Sequence, residues 1–321
     1  MRKILGIIAV VVLVLAGIVT WFFGPVLGAG LIGRPIFVVA TPQRYANFAF
    51  DVAQMQGLYA DSPEFAKVLA QAKEEVKDVD SVAQTHPIIE RVLKAAGGKH
   101  SGVIPPERNK PGTVQDTTLP NVSRDGDIVI ATVPHVARGP VAQQYADSLA
   151  QGLKDNVAGA CGVIVDLRGN TGGDMGPMLA GVSSLLPDGV VLTFKGRYSS
   201  DVTISGGSVE GGGSPITVAS QSKFNGPIAV LFDEHTGSSG EATVLSFRGL
   251  DNVRTFGQPS AGYASANVVF DMPDGAAIMI TTAKDVARTG EEFAEEPIDP
   301  DVLSEQPEVD ARDWLHQQCA N

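Results

Sequence analysis

The segment Gly162–Gly173, with the sequence GVIVDLRGNTGG, constrains the fold more than any other part of the chain. Its first residues show no alternation of polar and apolar side chains, which is typical of a strand buried on both faces. The turn that follows contains three glycines, which can adopt positive φ angles and let backbone N–H groups approach a ligand closely. An apolar segment with helical character, Met175–Leu186, comes next. This order of strand, turn and helix predicts a site for a negatively charged atom at the turn.

The surrounding chain indicates an α/β class. A predicted strand at Asp127–Val133 and an amphipathic helix at Val141–Val157 lead into the central strand, which predicts a right-handed crossover and a parallel pair. Pro227–Phe232 is a further buried strand. Upstream, residues 36–100 contain helix starts such as Thr41-Pro42 and Ser62-Pro63, where a capping residue precedes a first-turn proline. We therefore predict a helical cap subdomain at 36–100 and an α/β core at 101–321.

The N-terminus predicts a membrane anchor. Arg2 and Lys3 precede Ile4–Phe23, a stretch of about twenty uncharged residues that is long enough to span a bilayer. It exceeds the ~7–15 residues of a signal-peptide core, although Gly28-Ala29-Gly30 leaves a cleavage site open. The positive end should remain in the cytoplasm. Residues 1–35 are thus predicted to be a single-pass anchor with a linker, and the remaining chain to be extracytoplasmic.

Composition excludes several classes of function. The formal net charge of −12 argues against a nucleic-acid partner and suits a cationic one. Two cysteines, Cys161 and Cys319, favour free thiols over one long-range disulfide. No pair of histidines has metal-ligand spacing with a carboxylate, and the glycine-rich turn matches neither a dinucleotide motif nor a P-loop. We predict no metal and no cofactor.

Ser238 has two interpretations. Ser238-Ser239-Gly240-Glu241 fits a helix capping box, in which serine is the N-cap and glutamate the third residue. Alternatively, Ser238 is a nucleophile at a helix N-terminus, a role that needs an adjacent base. The other histidines are interpreted as structural or surface residues, and these are His86, His135, His235 and His316.

Three segments together resemble the tail-specific, or C-terminal processing, serine peptidases. Asp166–Gly173 resembles the signature turn of that family, and Thr236–Glu241 resembles its nucleophile segment. Gly257–Tyr263 is similar to the following turn, but the long members carry a catalytic lysine where this chain has Tyr263. The small nisin-resistance-type members lack a PDZ domain and use a serine–histidine pair. Gly97–Ser101 resembles the place of their histidine, which here is His100.

This resemblance implies a ClpP/crotonase-like mixed sheet and acyl transfer to Ser238, with His100 as general base. It implies an oxyanion hole of backbone N–H groups from Gly172 or Gly173 and from Ser239. Glu241 or Glu296 could orient His100. The implied substrate is a peptide or protein, and the acidic balance makes a cationic antimicrobial peptide, such as a lantibiotic, a candidate. Because Tyr263 replaces lysine, a non-catalytic protein of this fold that sequesters a peptide or lipid remains the alternative.

Overall fold

The computed structural model of the protein describes residues 2–109 and 118–320; within the first helix it describes the side chains at 12–14 and from 16 onward. The chain forms two compact units. The helical unit comprises Met1–Lys110 with Asn267–Thr282, and the sheet unit comprises Pro111–Ala266 with Ala283–Asn321. The helical unit thus extends beyond the predicted range of 36–100, because a hairpin from late in the chain completes its core.

The helical unit is built around capped helices. Its elements are α1 (Arg2–Ile32), α2 (Pro42–Gln56), α3 (Pro63–Glu75), α4 (Val82–Gly97) and β1 (Gly102–Ile104). Thr41 and Ser62 cap α2 and α3 as their sequence predicts, since each side chain accepts a backbone N–H three residues on. The core contains Phe50, Ile89 and Leu93 from the helices.

Helix α1 is, among the described residues, the one helix long and apolar enough to cross a membrane. Its candidate span is Val12–Ile32. Most of the described apolar side chains on it are exposed, as expected of a helix that the remaining protein does not enclose.

The sheet unit follows the predicted strand–helix–strand order. Its elements are β2 (Asn121–Asp125), β3 (Ile128–Thr132), α5 (Ala142–Asn156), β4 (Gly162–Asp166), α6 (Met175–Gly181), β5 (Gly189–Gly196), β6 (Ser199–Ser205), β7 (Ser208–Glu210), β8 (Ile216–Thr217), β9 (Ile228–Phe232), α7 (Ser239–Phe247) and β10 (Val253–Gly257). Strands β11 (Ser265–Asp271) and β12 (Ala277–Ala287) run from one unit into the other. The chain ends with β13 (Glu292–Phe293), β14 (Val302–Leu303) and α8 (Pro307–Cys319).

A six-stranded sheet positions the candidate site. Its strand order is β14-β10-β9-β4-β3-β2, and every pair is parallel except β3 with β2. Because β4 and β9 are parallel neighbours, with Asp166 opposite Leu231, the turns that follow them lie side by side. A second, antiparallel set of strands, β5 to β8, follows helix α6. The mixed α/β architecture predicted from the sequence is confirmed.

The prediction of two free thiols is wrong. Cys161 and Cys319 form a disulfide with a Cα–Cα distance of 5.8 Å. Helix α8 packs across the start of β4, where Leu315 lies so close to Gly162 that a Cβ there would be 2.7 Å from Leu315 Cδ2. The two cysteines are 158 residues apart in sequence, so only this packing brings them together.

Candidate active site

Asn170 holds the glycine-rich turn in place. Its side chain is fully buried. Nδ2 donates to the carbonyl of Val133 at 2.8 Å, and Oδ1 accepts the N–H of Gly172 at 2.8 Å. Its backbone carbonyl accepts the N–H of Gly237 at 2.9 Å. The turn after β4 is therefore fastened both to the end of β3 and to the segment that carries Ser238.

Ser238 has an unusual backbone conformation. With φ 53° and ψ −121°, it is the one non-glycine residue with positive φ in the part of the chain that the structure describes. Such conformations are costly and persist only where the surroundings enforce them, which is common at functional sites. Ser238 is half-buried and directly precedes α7. A conformation this constrained presents its hydroxyl in a defined position.

Glu241 makes the contacts that hold Ser238 in this conformation. Its side chain is fully buried, and its Oε2 accepts the N–H groups of Ser238 and Tyr263, each at 2.8 Å. Its Oε1 accepts the N–H of Gly262 at 2.8 Å and the hydroxyl of Ser260. Burial raises the pKa of Glu241, while these hydrogen bonds oppose the rise. Glu241 thus ties the serine turn to the turn at 260–263, and its role in orienting His100 stays a prediction.

The two turns approach each other at Gly172. This glycine has φ +101°, and a Cβ there would lie 2.8 Å from Ser238 Cβ and 3.0 Å from Ser239 N. Only glycine fits this contact without displacing the serine turn.

The backbone donors near Ser238 differ in availability. The N–H of Gly172 already donates to Asn170 Oδ1, so Gly172 is not free to act as the predicted oxyanion donor. Within residues 2–109 and 118–320, the N–H groups of Gly173 and Ser239 donate to no protein acceptor. The Ser239 hydroxyl donates to the Gly173 carbonyl at 2.8 Å, which holds these two residues together.

His100 belongs to the helical unit, where it follows the end of α4. Asn267 Nδ2 lies 3.0 Å from His100 Nδ1 and 3.1 Å from Nε2. Thr281 Oγ1 donates to Asn267 Oδ1 at 2.7 Å, and the Thr281 N–H donates to Ser101 Oγ at 2.9 Å. Burial, with a smaller contribution from Lys99, lowers the pKa of His100 to about 4. The imidazole is therefore neutral at pH 7 and able to accept a proton.

Sequence reasoning missed Asn267 and Thr281, since both lie on the β11–β12 hairpin, far from His100 in sequence. It also set aside His135, whose Nδ1 lies 3.3 Å from Thr171 Oγ1, beside the glycine-rich turn. Glu296 is exposed and accepts the N–H of Glu295 at 3.2 Å; hydrogen bonds from its own loop lower its pKa. Across the described residues, no group of three or more histidine, cysteine or acidic side chains could hold a metal ion.

Comparisons with known proteins show the family and the fold of the chain. The model of peptidase family S41 matches residues 128–304. A nisin-resistance protein of Lactococcus lactis subsp. lactis is 36% identical over 321 residues, covering 99% of this chain and 98% of that protein. The solved structure of a lipoprotein from Streptococcus agalactiae has 27% identity and a TM-score of 0.77, covering 88% of this chain and 99% of that one. A photosystem II D1 C-terminal processing protease, at 14% identity, 85% and 95% coverage and a TM-score of 0.54, shares the fold.

Proposed function

Because this chain belongs to peptidase family S41, we propose that it is a serine peptidase in which Ser238 is the nucleophile and His100 the general base. The observation that carries this proposal is the backbone of Ser238. Its positive φ, fixed by Glu241, presents the hydroxyl at the start of α7, next to the unused N–H groups of Gly173 and Ser239. A serine that only capped a helix would have no need of this conformation.

The proposed reaction is hydrolysis of a peptide bond in two steps. His100 takes the proton of Ser238 Oγ as that oxygen attacks the substrate carbonyl, and it then protonates the leaving amine. Water next attacks the acyl-serine and gives its proton to His100, which passes it to Ser238 Oγ as the ester bond breaks and the carboxylic acid product leaves. The N–H groups of Gly173 and Ser239 hold the oxyanion in both steps, and each such donor contributes about 3–4 kcal/mol of transition-state stabilisation.

The substrate class rests on charge and on one relative. The chain carries a net charge of −12, which attracts cationic peptides. Its relative from Lactococcus lactis is named for resistance to nisin. We propose a cationic antimicrobial peptide, such as a lantibiotic, as substrate.

The proposed location is the outer face of the cell membrane, with α1 as a single-pass anchor. Arg2 and Lys3 before the apolar stretch support an orientation with the N-terminus in the cytoplasm. The disulfide between Cys161 and Cys319 supports an oxidising, extracytoplasmic compartment for the sheet unit.

The test uses the full-length chain in vesicles, with nisin as the probe and mass spectrometry as the readout. Ser238→Ala and His100→Ala should each lower kcat/KM by at least about 10³-fold. His235→Ala is the matched control, because His235 is exposed and lies three residues from Ser238; it should cleave like the parent. Cleavage at the parental rate by Ser238→Ala would refute the nucleophile assignment. Binding of the peptide by the parent without any cleavage would instead support the sequestering alternative.

A further inference from the structure

An apolar stripe covers one half of helix α1 at its C-terminal end. It consists of Phe22, Phe23, Val26, Leu27 and Leu31, which are between 51 and 82% exposed. At 100° per residue these side chains fall on one side of the helix. Gly24, Pro25 and Gly28 fall on the opposite side and are buried. A contiguous exposed apolar surface of this kind marks a binding site or a membrane contact.

The segment after α1 extends this stripe. The chain reverses at Gly33, with φ +70°, and the N–H of Ile36 donates to the Gly24 carbonyl at 3.3 Å. Gly28 lies so close to this segment that a Cβ there would be 2.6 Å from the Arg34 carbonyl oxygen. Ile36, Val38 and Val39 are themselves 45–52% exposed. We call the five residues of the stripe and these three the membrane-proximal patch.

Arg44 indicates the depth at which the hydrocarbon must end. Pro25 has no N–H, so the carbonyl of Trp21 has no partner within the helix. Arg44, on α2, donates to that carbonyl, and its guanidinium lies 3.9 Å from the centroid of the Trp21 ring. A guanidinium is costly in hydrocarbon, whereas tryptophan favours the interface. Trp21 therefore marks the outer interface.

This depth agrees with the length of the anchor. Ile4–Trp21 would rise about 27 Å as a helix, close to the ~30 Å of a bilayer core. Residues 22–32 then continue for roughly 16 Å along the helix axis, about twice the depth of one interface, so the whole stripe lies at the interface only if α1 is tilted from the membrane normal. Arg34 is the one ionisable residue between Lys3 and Arg44, and it is exposed. Apart from Arg34, the segment between the span and Arg44 thus carries no ionisable side chain that would oppose contact with lipid.

We propose that the membrane-proximal patch lies in the outer lipid interface, so that the helical unit rests on the bilayer and does not hang from a free tether. This inference rests on the proposed membrane anchor. The packing of the helical unit supports it, because Phe37 contacts Phe48 of α2 edge to face at 6.1 Å. Together with the contacts of Arg44 and Ile36, this contact fixes α2 to α1. The occupant of the patch is thus a lipid surface, with its phosphates next to Arg34.

The test is site-directed spin labelling of the full chain in phosphatidylcholine–phosphatidylglycerol vesicles. The native cysteines are paired, so an introduced cysteine is the site of labelling. Leu27→Cys and Val38→Cys report the patch, and Val14→Cys reports the anchor. Val309→Cys is the matched control, because Val38 and Val309 are both 52% exposed and Val309 lies on α8 of the sheet unit.

We expect the labels in the patch and the control label to differ in which reagent, oxygen or nickel, relaxes them more. Labels at 14, 27 and 38 should be relaxed more by oxygen than by a water-soluble nickel chelate, and the label at 309 more by nickel. If 14 is in lipid while 27 or 38 behaves like 309, the patch inference fails and the anchor stands. If 14 is in water, the anchor fails and the patch inference with it. Protection of 27 and 38 from both reagents would mean that a protein covers the patch, which also overturns the proposal.

Discussion

Replacing Glu241 with glutamine tests whether a buried carboxylate organises the serine turn. All four neighbours of this carboxylate donate to it, and three of them are backbone N–H groups that cannot accept. A proton on Oε2 would face the N–H groups of Ser238 and Tyr263. Glu241 is therefore ionised when the site is assembled. Glutamine keeps the shape of the side chain but offers one carbonyl oxygen in place of two acceptors.

The loss can be estimated from these bonds. The least unfavourable orientation turns the new amide NH₂ toward Ser260 and Gly262, because the serine hydroxyl can rotate to accept. Gly262 N–H is then left without an acceptor, which costs about 1–3 kcal/mol. The other three hydrogen bonds lose their charge-assisted character and about half their strength. We expect Glu241→Gln to lower the free energy of unfolding by about 3–6 kcal/mol.

The control is Asp285→Asn. Asp285 is also buried, but its Oδ1 has no partner among the described residues, and burial together with the charge of Glu241 raises its pKa well above the ordinary range. Because burial disfavours the charged form of Asp285, asparagine should replace it with little loss. The assay is urea unfolding of the full chain in detergent, followed by circular dichroism. Equal unfolding midpoints for Glu241→Gln and the parent, or an equal loss for Asp285→Asn, would refute the reasoning.

Three further outcomes are expected. Gly172→Ala should lower kcat/KM at least about 100-fold, since its Cβ would displace the serine turn. The control is Gly237→Ala, which should remain active because its Cβ would meet its nearest atom at 3.5 Å. Equal activities of the two variants would contradict the argument from the close approach at Gly172. The depressed pKa of His100, about 4, means that stability present above pH 6.5 is lost as the pH falls toward 4. Between these two pH values the parent should lose about 3 kcal/mol more unfolding free energy than His100→Gln, as measured by urea unfolding. Parallel curves of stability against pH for the two proteins would exclude a depressed pKa for His100. Cys319→Ser should cost about 2–5 kcal/mol of unfolding free energy, and an unchanged midpoint would argue against the disulfide.

Local signals were sufficient for much of the fold. Thr41 and Ser62 cap their helices because capping depends on a side chain and the next few N–H groups. The buried strand at Gly162 is recognisable because a parallel strand covered on both faces needs apolar residues throughout. The bond from the Gly172 N–H to Asn170 was missed although its signal is local, since asparagine commonly bonds the backbone two residues on.

Long-range contacts could not be predicted from the local sequence in the same way. The cysteine pair depends on where α8 packs, and nothing near Cys161 or Cys319 specifies that position. Asn267 and Thr281 reach His100 only because a hairpin from late in the chain joins the helical unit. A polar residue on a strand has many possible partners, and tertiary packing selects among them.

The hairpin at 267–282 also makes the helical unit depend on the order of synthesis. Phe270, Ile278 and Ile280 are part of the same buried cluster as the faces of α2 and α4. Those helices end at Gly97 and leave the ribosome well before the hairpin is made. At 5–20 residues per second, the apolar faces of these helices wait roughly 9–37 seconds for the missing side chains. The N-terminal third of this protein therefore cannot finish folding first, and its core closes only after the central strands of the sheet unit have been made.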